Sequence, residues 1–377
     1  MKIKYLTYLT ILLTTLSGCI QSKKNKKKDI SNDDSVVVSK QLLGEKLFSD
    51  TNLSLDRTMS CATCHNPQHA FIDNRENFFE GSVSIGQDGI SIGDRNSPTI
   101  MYTRFIPSFT QVNGEYIGGL FTDGRAVDLT EQAKGPFLNS IELQMPSEES
   151  VINRIKENSE YITAFQNIYG EDILDNADRA FEAVAEVITE FEKTDSISPF
   201  NSQFDKGNLT TQELRGRELF KSANCNLCHD DTAPRPVFSN FGYHNLGLPT
   251  NEEVRNENGV EIDLGLASNP NVTDNNQRGK FRIASLRNIA VTAPYMHNGV
   301  FKELKTVVHF YNTRDVAGAI NPETGLSWRT SEVPEGVVTP DPGEIGIGNL
   351  GLTDDEEDDL VAFLKTLTDE QFEHLIE

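Results

Sequence analysis

The chain has 377 residues, of which 37% are hydrophobic and 24% are charged, and its formal net charge is −23. This length and composition predict a soluble body of two globular domains, each large enough to bury its own core. The negative charge argues against nucleic acid as a partner and favours a protein partner with basic patches.

The N-terminus predicts an export signal followed by a lipid anchor. Lys2 and Lys4 precede an apolar stretch at 5–16, and Leu16-Ser17-Gly18-Cys19 has the form of a lipobox. We therefore expect residues 1–18 to be removed and Cys19 to carry the lipid, which places the protein on a bacterial membrane facing the periplasm. An uncleaved transmembrane anchor is the alternative, although the apolar stretch is short for a membrane span.

Residues 19–40 are predicted to form the anchor and a flexible basic linker. The run at 23–28 contains five lysines, which either lie on anionic lipid headgroups or remain in solvent.

The other four cysteines occur in two Cys-x-x-Cys-His motifs, Cys61 to His65 and Cys225 to His229. This motif attaches c-type haem, because its two thiols add to the haem vinyl groups while the following His binds the iron. A zinc site would not require a His after each cysteine pair, and a redox dithiol would occur in a βαβ pattern that this sequence lacks. We predict covalent attachment of two haems at Cys61, Cys64, Cys225 and Cys228, with His65 and His229 as the proximal iron ligands.

Similar elements surround the two motifs and predict a mostly α fold of two cytochrome c-like domains with long loops. GEKLF at 44–48 precedes the first motif and GRELF at 216–220 precedes the second. A helix near 176–194 closes the first half, and a capping box at 353–356 starts a helix that closes the second. Residues 196–211 have the composition of a linker. We place the domains at 41–205 and 206–377, with long loops at 247–279 and 339–351.

Three further motifs resemble those of the bacterial di-haem cytochrome c peroxidases and their relative MauG. They are FTDGRA at 121–126, continued by Gln132 and Ile141-Glu142; SLRN at 285–288; and TAPYMHNG at 292–299. The resemblance covers about residues 40–370. It implies that the N-terminal haem reacts with peroxide and the C-terminal haem transfers electrons.

The resemblance also implies that Gln132 and Glu142 are the catalytic pair beside the N-terminal haem. Peroxide must lose a proton from one oxygen and gain one on the other before its O–O bond breaks. A carboxylate can carry that proton, and an amide can orient the peroxide.

Two departures from the family pattern change what we expect. The family's Trp between the haems, usually taken as an electron relay, is Thr122 here, so electrons need another route. Residues 78–99 contain no His, whereas many family members use a loop His to cover the peroxidatic iron. We therefore expect this iron to be open without activation, as in MauG.

The resemblance further implies a calcium ion between the domains, bound by Asn96 and by the carbonyls of Thr292 and Pro294. Met296 is expected to pack in the core, although Met is a common haem ligand. His244 and His297 are expected to contact a haem propionate or to be structural.

The sixth ligand of the C-terminal haem is a Met in the family peroxidases, nineteen residues after the Thr of the TAPY motif. That position is Tyr311 here, and it is also Tyr in MauG. Phenolate favours ferric iron, whereas thioether favours ferrous iron. The alternative is that Tyr311 is a core aromatic and that water or His309 is the ligand.

The favoured function is a cytochrome c peroxidase that reduces hydrogen peroxide to water with electrons from a donor protein such as a small cytochrome c or a cupredoxin. MauG-like, peroxide-dependent oxidation of a protein or organic substrate is one alternative; Thr122 weakens it, because MauG keeps the relay Trp. Electron transfer without catalysis is another, but it leaves Gln132 and Glu142 without a role. A homodimer is left open.

Overall fold

The computed structural model describes residues 32–260, 262–328 and 346–376. The predictions for the signal, the lipobox Cys19 and the lysine run, and most of the predicted loop 339–351, lie outside these residues.

The described chain is built from short and medium helices joined by long irregular stretches. The helices are α1 (Asn32–Phe48), α2 (Cys61–Cys64), α3 (Leu129–Leu138), α4 (Glu148–Lys156), α5 (Ser159–Tyr169), α6 (Ala177–Glu192), α7 (Gln203–Lys206), α8 (Thr211–Ser222), α9 (Glu252–Asn258), α10 (Leu304–Thr313) and α11 (Asp354–Lys365). The strands are β1 (Thr110–Val112), β2 (Glu115–Ile117), β3 (Tyr243–His244) and β4 (Phe281–Arg282), which form two antiparallel pairs, β1 with β2 and β3 with β4. Among these residues, no helix is both long and apolar enough to cross a membrane.

The predicted repeat of two helix pairs is confirmed. Helix α1 packs on α6, and α8 packs on α11. Gly44 and Gly216 stand at the two crossings, where a Cβ atom would overlap the carbonyl oxygen of Val187 or Asp359. Glycine is needed at both positions because the helix backbones approach each other too closely for a side chain.

The aromatic residues that follow these glycines also repeat. The ring of Phe48 lies 5.2 Å from that of Phe191, and the ring of Phe220 lies 5.4 Å from that of Phe363. The helix predicted near 176–194 and the capping box of Thr353 and Glu356 are both confirmed. The two halves therefore share one structural unit.

Buried hydrophobic residues form two main clusters, one on α1 and α3–α6 and one on α8, α10 and α11. Phe372 packs in the first cluster although it follows α11. The domain boundary at 205 stays a prediction, since the first core draws on a residue far beyond it.

Residues 196–211 form a packed connection rather than an open linker. Ile197 and Phe200 are buried, and Ser202 caps the short helix α7. Asp205 in α7 accepts two hydrogen bonds from the buried guanidinium of Arg287, at 2.7 and 3.0 Å. The serine content of this segment therefore reflects helix capping as well as turns.

Three polar side chains join the C-terminal segment to the rest of the fold. Asp369 accepts a hydrogen bond from the Tyr102 hydroxyl at 2.7 Å and one from the Asn288 amide at 2.8 Å. The Tyr102 hydroxyl in turn accepts one from the backbone N–H of Phe200 at 3.0 Å. All three polar side chains are buried, so this network fixes the end of the chain against both halves.

Candidate haem sites

The first haem site consists of Cys61, Cys64 and His65. Helix α2 carries both cysteines, and its start is fixed by the Thr63 hydroxyl, which accepts a hydrogen bond from the backbone N–H of Ser60 at 3.0 Å. The Nδ1 of His65 lies 3.2 Å from the carbonyl oxygen of Phe71. A carbonyl only accepts hydrogen bonds, so Nδ1 carries the proton and the Nε2 lone pair is left for iron.

The second haem site consists of Cys225, Cys228 and His229 and repeats this geometry. The Nδ1 of His229 lies 2.9 Å from the carbonyl oxygen of Phe238, which again leaves Nε2 for iron. Burial lowers the pKa of His65 and of His229. Both rings are therefore neutral, as an iron ligand must be.

The motif cysteines are partly buried and are not activated thiols. Burial raises the pKa of Cys61, Cys64 and Cys225 to about 12. Among the described residues, no group of three His, Cys, Asp or Glu side chains is placed to hold a metal ion. These environments suit thioether attachment of haem and fit neither a redox dithiol, which needs a lowered pKa, nor a zinc site.

A cavity of about 320 Å³ lies against the second haem site. Cys225, Cys228, His229 and Tyr311 all line it. Its apolar walls come from α8, α10 and α11, through Phe220, Leu304, Val307, Val308, Leu360 and Leu364. An apolar cavity with an axial His and two attachment thiols fits a covalent haem.

The structure separates the two candidate sixth ligands on α10. Tyr311 lines the cavity, and burial is the main cause that raises the pKa of its phenol. His309 instead lies 2.8 Å from a carboxylate oxygen of Glu357 on α11, and its ring is 6.0 Å from that of Trp328. Tyr311 is thus in position to meet the second iron, although its bond to iron stays a prediction.

Glu142 is held beside the first haem site. Its Oε1 accepts a hydrogen bond from the Asn139 amide at 2.6 Å, and its charge contributes to the raised pKa of Cys61 and of Cys64. Burial raises the pKa of Glu142, while the positive charge of Arg125 opposes that rise. A partly buried carboxyl with a raised pKa can both accept and donate a proton.

Gln132 lies on α3 and is partly buried. Its side-chain amide has no hydrogen-bond partner in the part of the chain that the structure describes. The loop before α3 is fixed by Phe121, which lies below the guanidinium of Arg125 at 3.7 Å and packs on Gly135.

A network of ion pairs holds the 121–126 loop against the second half. Arg95 binds Asp263 through two nitrogens at 2.6 and 2.7 Å and Asp123 at 2.7 Å, and Arg125 binds Asp123 at 2.8 Å. Because Asp123 and Asp263 are buried, loss of either partner would leave an unpaired charge in the interior.

The residues predicted for calcium lie together at the cavity wall. Asn96, Thr292 and Pro294 all line it. The Nδ2 of Asn96 donates to the carbonyl oxygens of Ser82 and Gly81, at 3.2 and 3.4 Å, which leaves Oδ1 as the atom for a cation. Carbonyl and amide oxygens suit calcium, and the ion stays a prediction.

The other side chains considered from the sequence also lie at this cavity. Met296 packs on the second core and lines the cavity, as do His244 and His297. The ring of His297 stacks on that of Phe281 at 3.6 Å. Thr122 is a further lining residue, and its buried hydroxyl has no hydrogen-bond partner among the described residues.

Two charged residues at the haem sites were not found from the sequence. Glu192 on α6 is 4% exposed, and its charge raises the pKa of Cys61. Arg282 on β4 lines the cavity and has a buried Nε with no hydrogen-bond partner among the described residues. Neither belongs to a motif, so only the three-dimensional structure identifies them.

Known proteins with related sequences and structures support the haem assignment. The family model described as di-haem cytochrome c peroxidase matches residues 39–213. The methylamine utilization protein MauG of Paracoccus denitrificans is 44% identical over 351 residues, which are 89% of this chain and 90% of that protein. The cytochrome c551 peroxidase of Pseudomonas aeruginosa is 32% identical over 296 residues, 74% of each chain.

A solved structure extends this similarity to the fold. The diheme peroxidase BthA of Burkholderia thailandensis superposes with a TM-score of 0.80 at 30% identity, covering 92% of this chain and 89% of that one. The protein is accordingly an oxidoreductase with two c-type haem sites, and the chain belongs to the di-haem cytochrome c peroxidase family, which includes MauG.

Proposed function

We propose that the protein reduces hydrogen peroxide to water at the first haem site, with electrons that a donor protein delivers through the second. The placement of Glu142 beside the first haem site carries this proposal. When bound, the haem iron supplies the site where peroxide binds and receives electrons.

Glu142 is suited to move a proton between the two peroxide oxygens. Its raised pKa keeps the protonated form accessible, and the hydrogen bond from Asn139 fixes the carboxyl group in one orientation. The side-chain amide of Gln132 is available to orient the peroxide, since no side chain of the described residues occupies it.

The test is turnover of hydrogen peroxide by the haem-loaded diferric protein with a reduced small cytochrome c. We expect Glu142→Gln to lower the turnover rate by about 10²- to 10⁴-fold, the usual contribution of a positioned acid or base. The control is Glu131→Gln on α3, whose side chain is half exposed and pairs with Lys134. Wild-type turnover by Glu142→Gln would contradict the proposal.

MauG-like oxidation of a protein or organic substrate is a second candidate, favoured by Tyr311 in the cavity of the second haem site. A phenolate ligand stabilises oxidised iron and makes the haem a poor electron acceptor. We expect Tyr311→Phe to replace the ferric EPR signal of the second haem with that of a haem lacking the phenolate ligand, whereas His309→Gln keeps the wild-type signal. If wild type reacts with peroxide but accepts no electrons from reduced cytochromes, this candidate replaces the first.

The remaining features of the proposal concern location, metal and domains. A lipid on Cys19 would anchor the protein to a bacterial membrane on its periplasmic side, and 41–205 and 206–377 would form the two haem domains. Calcium would bind Asn96 and the carbonyls of Thr292 and Pro294. We expect removal of calcium with EGTA to change the ferric EPR spectrum, and added calcium to restore it.

A further inference from the structure

Arg282 carries a positive charge into the wall of the second haem cavity. It lies on β4, opposite Tyr243 of β3. Its Nε is buried without a hydrogen-bond partner, and the guanidinium pairs with no carboxylate among the described residues. Partial burial lowers the pKa of this guanidinium, because a charge withdrawn from water without a counter-ion is unfavourable.

The acidic residues in this part of the structure already have partners. Asp263 binds Arg95 through both oxygens, and Asp123 binds Arg95 and Arg125. Among the described residues, the ionisable group that counters the effect of burial on Arg282 is the Tyr243 phenol. Its hydroxyl donates to the carbonyl oxygen of Gly118 at 2.6 Å. The described protein residues thus leave the charge of Arg282 without a counter-ion.

A second polar group without a partner lies beside Arg282. The backbone N–H of Arg282 donates to the carbonyl oxygen of Thr122 at 2.8 Å. The Thr122 hydroxyl is buried, has no hydrogen-bond partner in the described chain, and belongs to the same cavity wall. A guanidinium and a hydroxyl from two hydrogen-bonded segments of one cavity wall can together bind a carboxylate.

A c-type haem attached to Cys225 and Cys228 would bring two carboxylates, its propionates, to this cavity. Cys225, Cys228 and His229 line the cavity together with Arg282 and Thr122. We infer that Arg282 and Thr122 bind a propionate of the haem attached to Cys225 and Cys228. This inference rests on attachment of that haem and not on the reaction proposed above.

The pairing predicts how the potential of this haem responds to mutation. A fixed cation near the haem stabilises the ferrous state, which carries one positive charge less than the ferric state. Loss of the Arg282 charge should therefore lower the midpoint potential of the second haem. Loss of the Thr122 hydroxyl should weaken the hydrogen bond to the propionate without removing a charge.

The experiment compares Arg282→Gln, Arg282→Lys and Thr122→Val with wild type in the haem-loaded protein. The two readouts are a redox titration followed by optical and EPR spectra, and the resonance Raman propionate bending band, which responds to hydrogen bonding. Arg215→Gln is the matched control, because Arg215 pairs with Asp359 and has a side chain that is 57% exposed.

We expect Arg282→Gln to lower the potential of the second haem and to shift its propionate band. Arg282→Lys should keep the midpoint potential of the second haem close to the wild-type value. Thr122→Val should shift the propionate bending band in the same direction as Arg282→Gln. If Arg282→Gln does not fold, the other two variants decide. The inference is overturned if these variants match Arg215→Gln in both readouts, or if only the first haem responds. Peroxide turnover is not a readout, so failure here is distinct from failure of the proposed function.

Discussion

Glu192 should make the stability of the protein depend on pH in a way that one substitution removes. It is buried on α6 and has no hydrogen-bond or ion-pair partner in the part of the chain that the structure describes. Burial raises its pKa from 4.5 to about 8, so the carboxyl is mainly protonated in the folded protein at pH 7 and ionised in the unfolded chain.

The sign follows from proton linkage. A group with a raised pKa in the folded state contributes fully to stability below its unfolded pKa, and this contribution is lost as pH rises through the folded pKa. Glu192 therefore loses its contribution to stability between about pH 4.5 and pH 8. At about 1.4 kcal/mol per pKa unit, the shift corresponds to at most about 5 kcal/mol.

The perturbation is Glu192→Gln, which keeps the size of the side chain and removes the titration. Urea unfolding of the haem-loaded protein should give equal free energies of unfolding for wild type and variant, apart from a constant offset, up to about pH 4.5. Above this pH the free energy of unfolding of the variant should rise progressively relative to that of the wild type. The control is Glu182→Gln on the same helix, because that side chain is 58% exposed and pairs with Lys134. Parallel pH profiles for wild type and Glu192→Gln would refute the reasoning.

Three further predictions follow from packing, hydrogen bonding and protonation. Gly216→Ala should destabilise the protein by about 1–3 kcal/mol or more in urea unfolding, because the new methyl group overlaps the carbonyl of Asp359; an unchanged midpoint would show that the helices separate freely. Tyr102→Phe should cost about 2–4 kcal/mol, since two buried hydrogen bonds are lost; a cost no larger than that of Tyr169→Phe, which loses one partly buried bond, would contradict this. The rate of the peroxide reaction should rise with pH through the raised pKa of Glu142, because the ionised carboxylate takes the first proton. The rate measured by stopped-flow spectra of Glu142→Gln should lack this rise. If the rise persists in the variant, another group causes it.

The haem-bearing elements were predictable because they depend on local patterns. Each of these patterns spans only a few residues: the cysteine spacing, the repeated GEKLF and GRELF segments, and the capping box before α11. The structure adds that the repeated glycines mark helix crossings, which a pattern alone does not show.

The charged residues Glu192 and Arg282 were not predictable, because their environments depend on residues that are distant in sequence. Glu192 follows Phe191 in an amphipathic helix, and only the packing of α6 against α1, α3 and α4 decides that it is buried. The acidic residues near Arg282 already pair with other arginines, and those pairs join residues that are far apart in sequence. The sequence alone therefore does not show that Arg282 lacks a counter-ion among the described residues. The composition of 196–211 was misleading, because serine suits a helix cap as well as a loop.

The C-terminal segment has a consequence for the order in which the protein matures. Phe372 completes the first core, and Asp369 anchors this segment on Tyr102 and Asn288. A chain synthesised from its N-terminus presents Cys61 and Cys64 long before these residues arrive. Haem attachment at these cysteines can therefore precede closure of the first core by the final segment. Synthesis of the whole chain, and not of its first half alone, is what completes the first core.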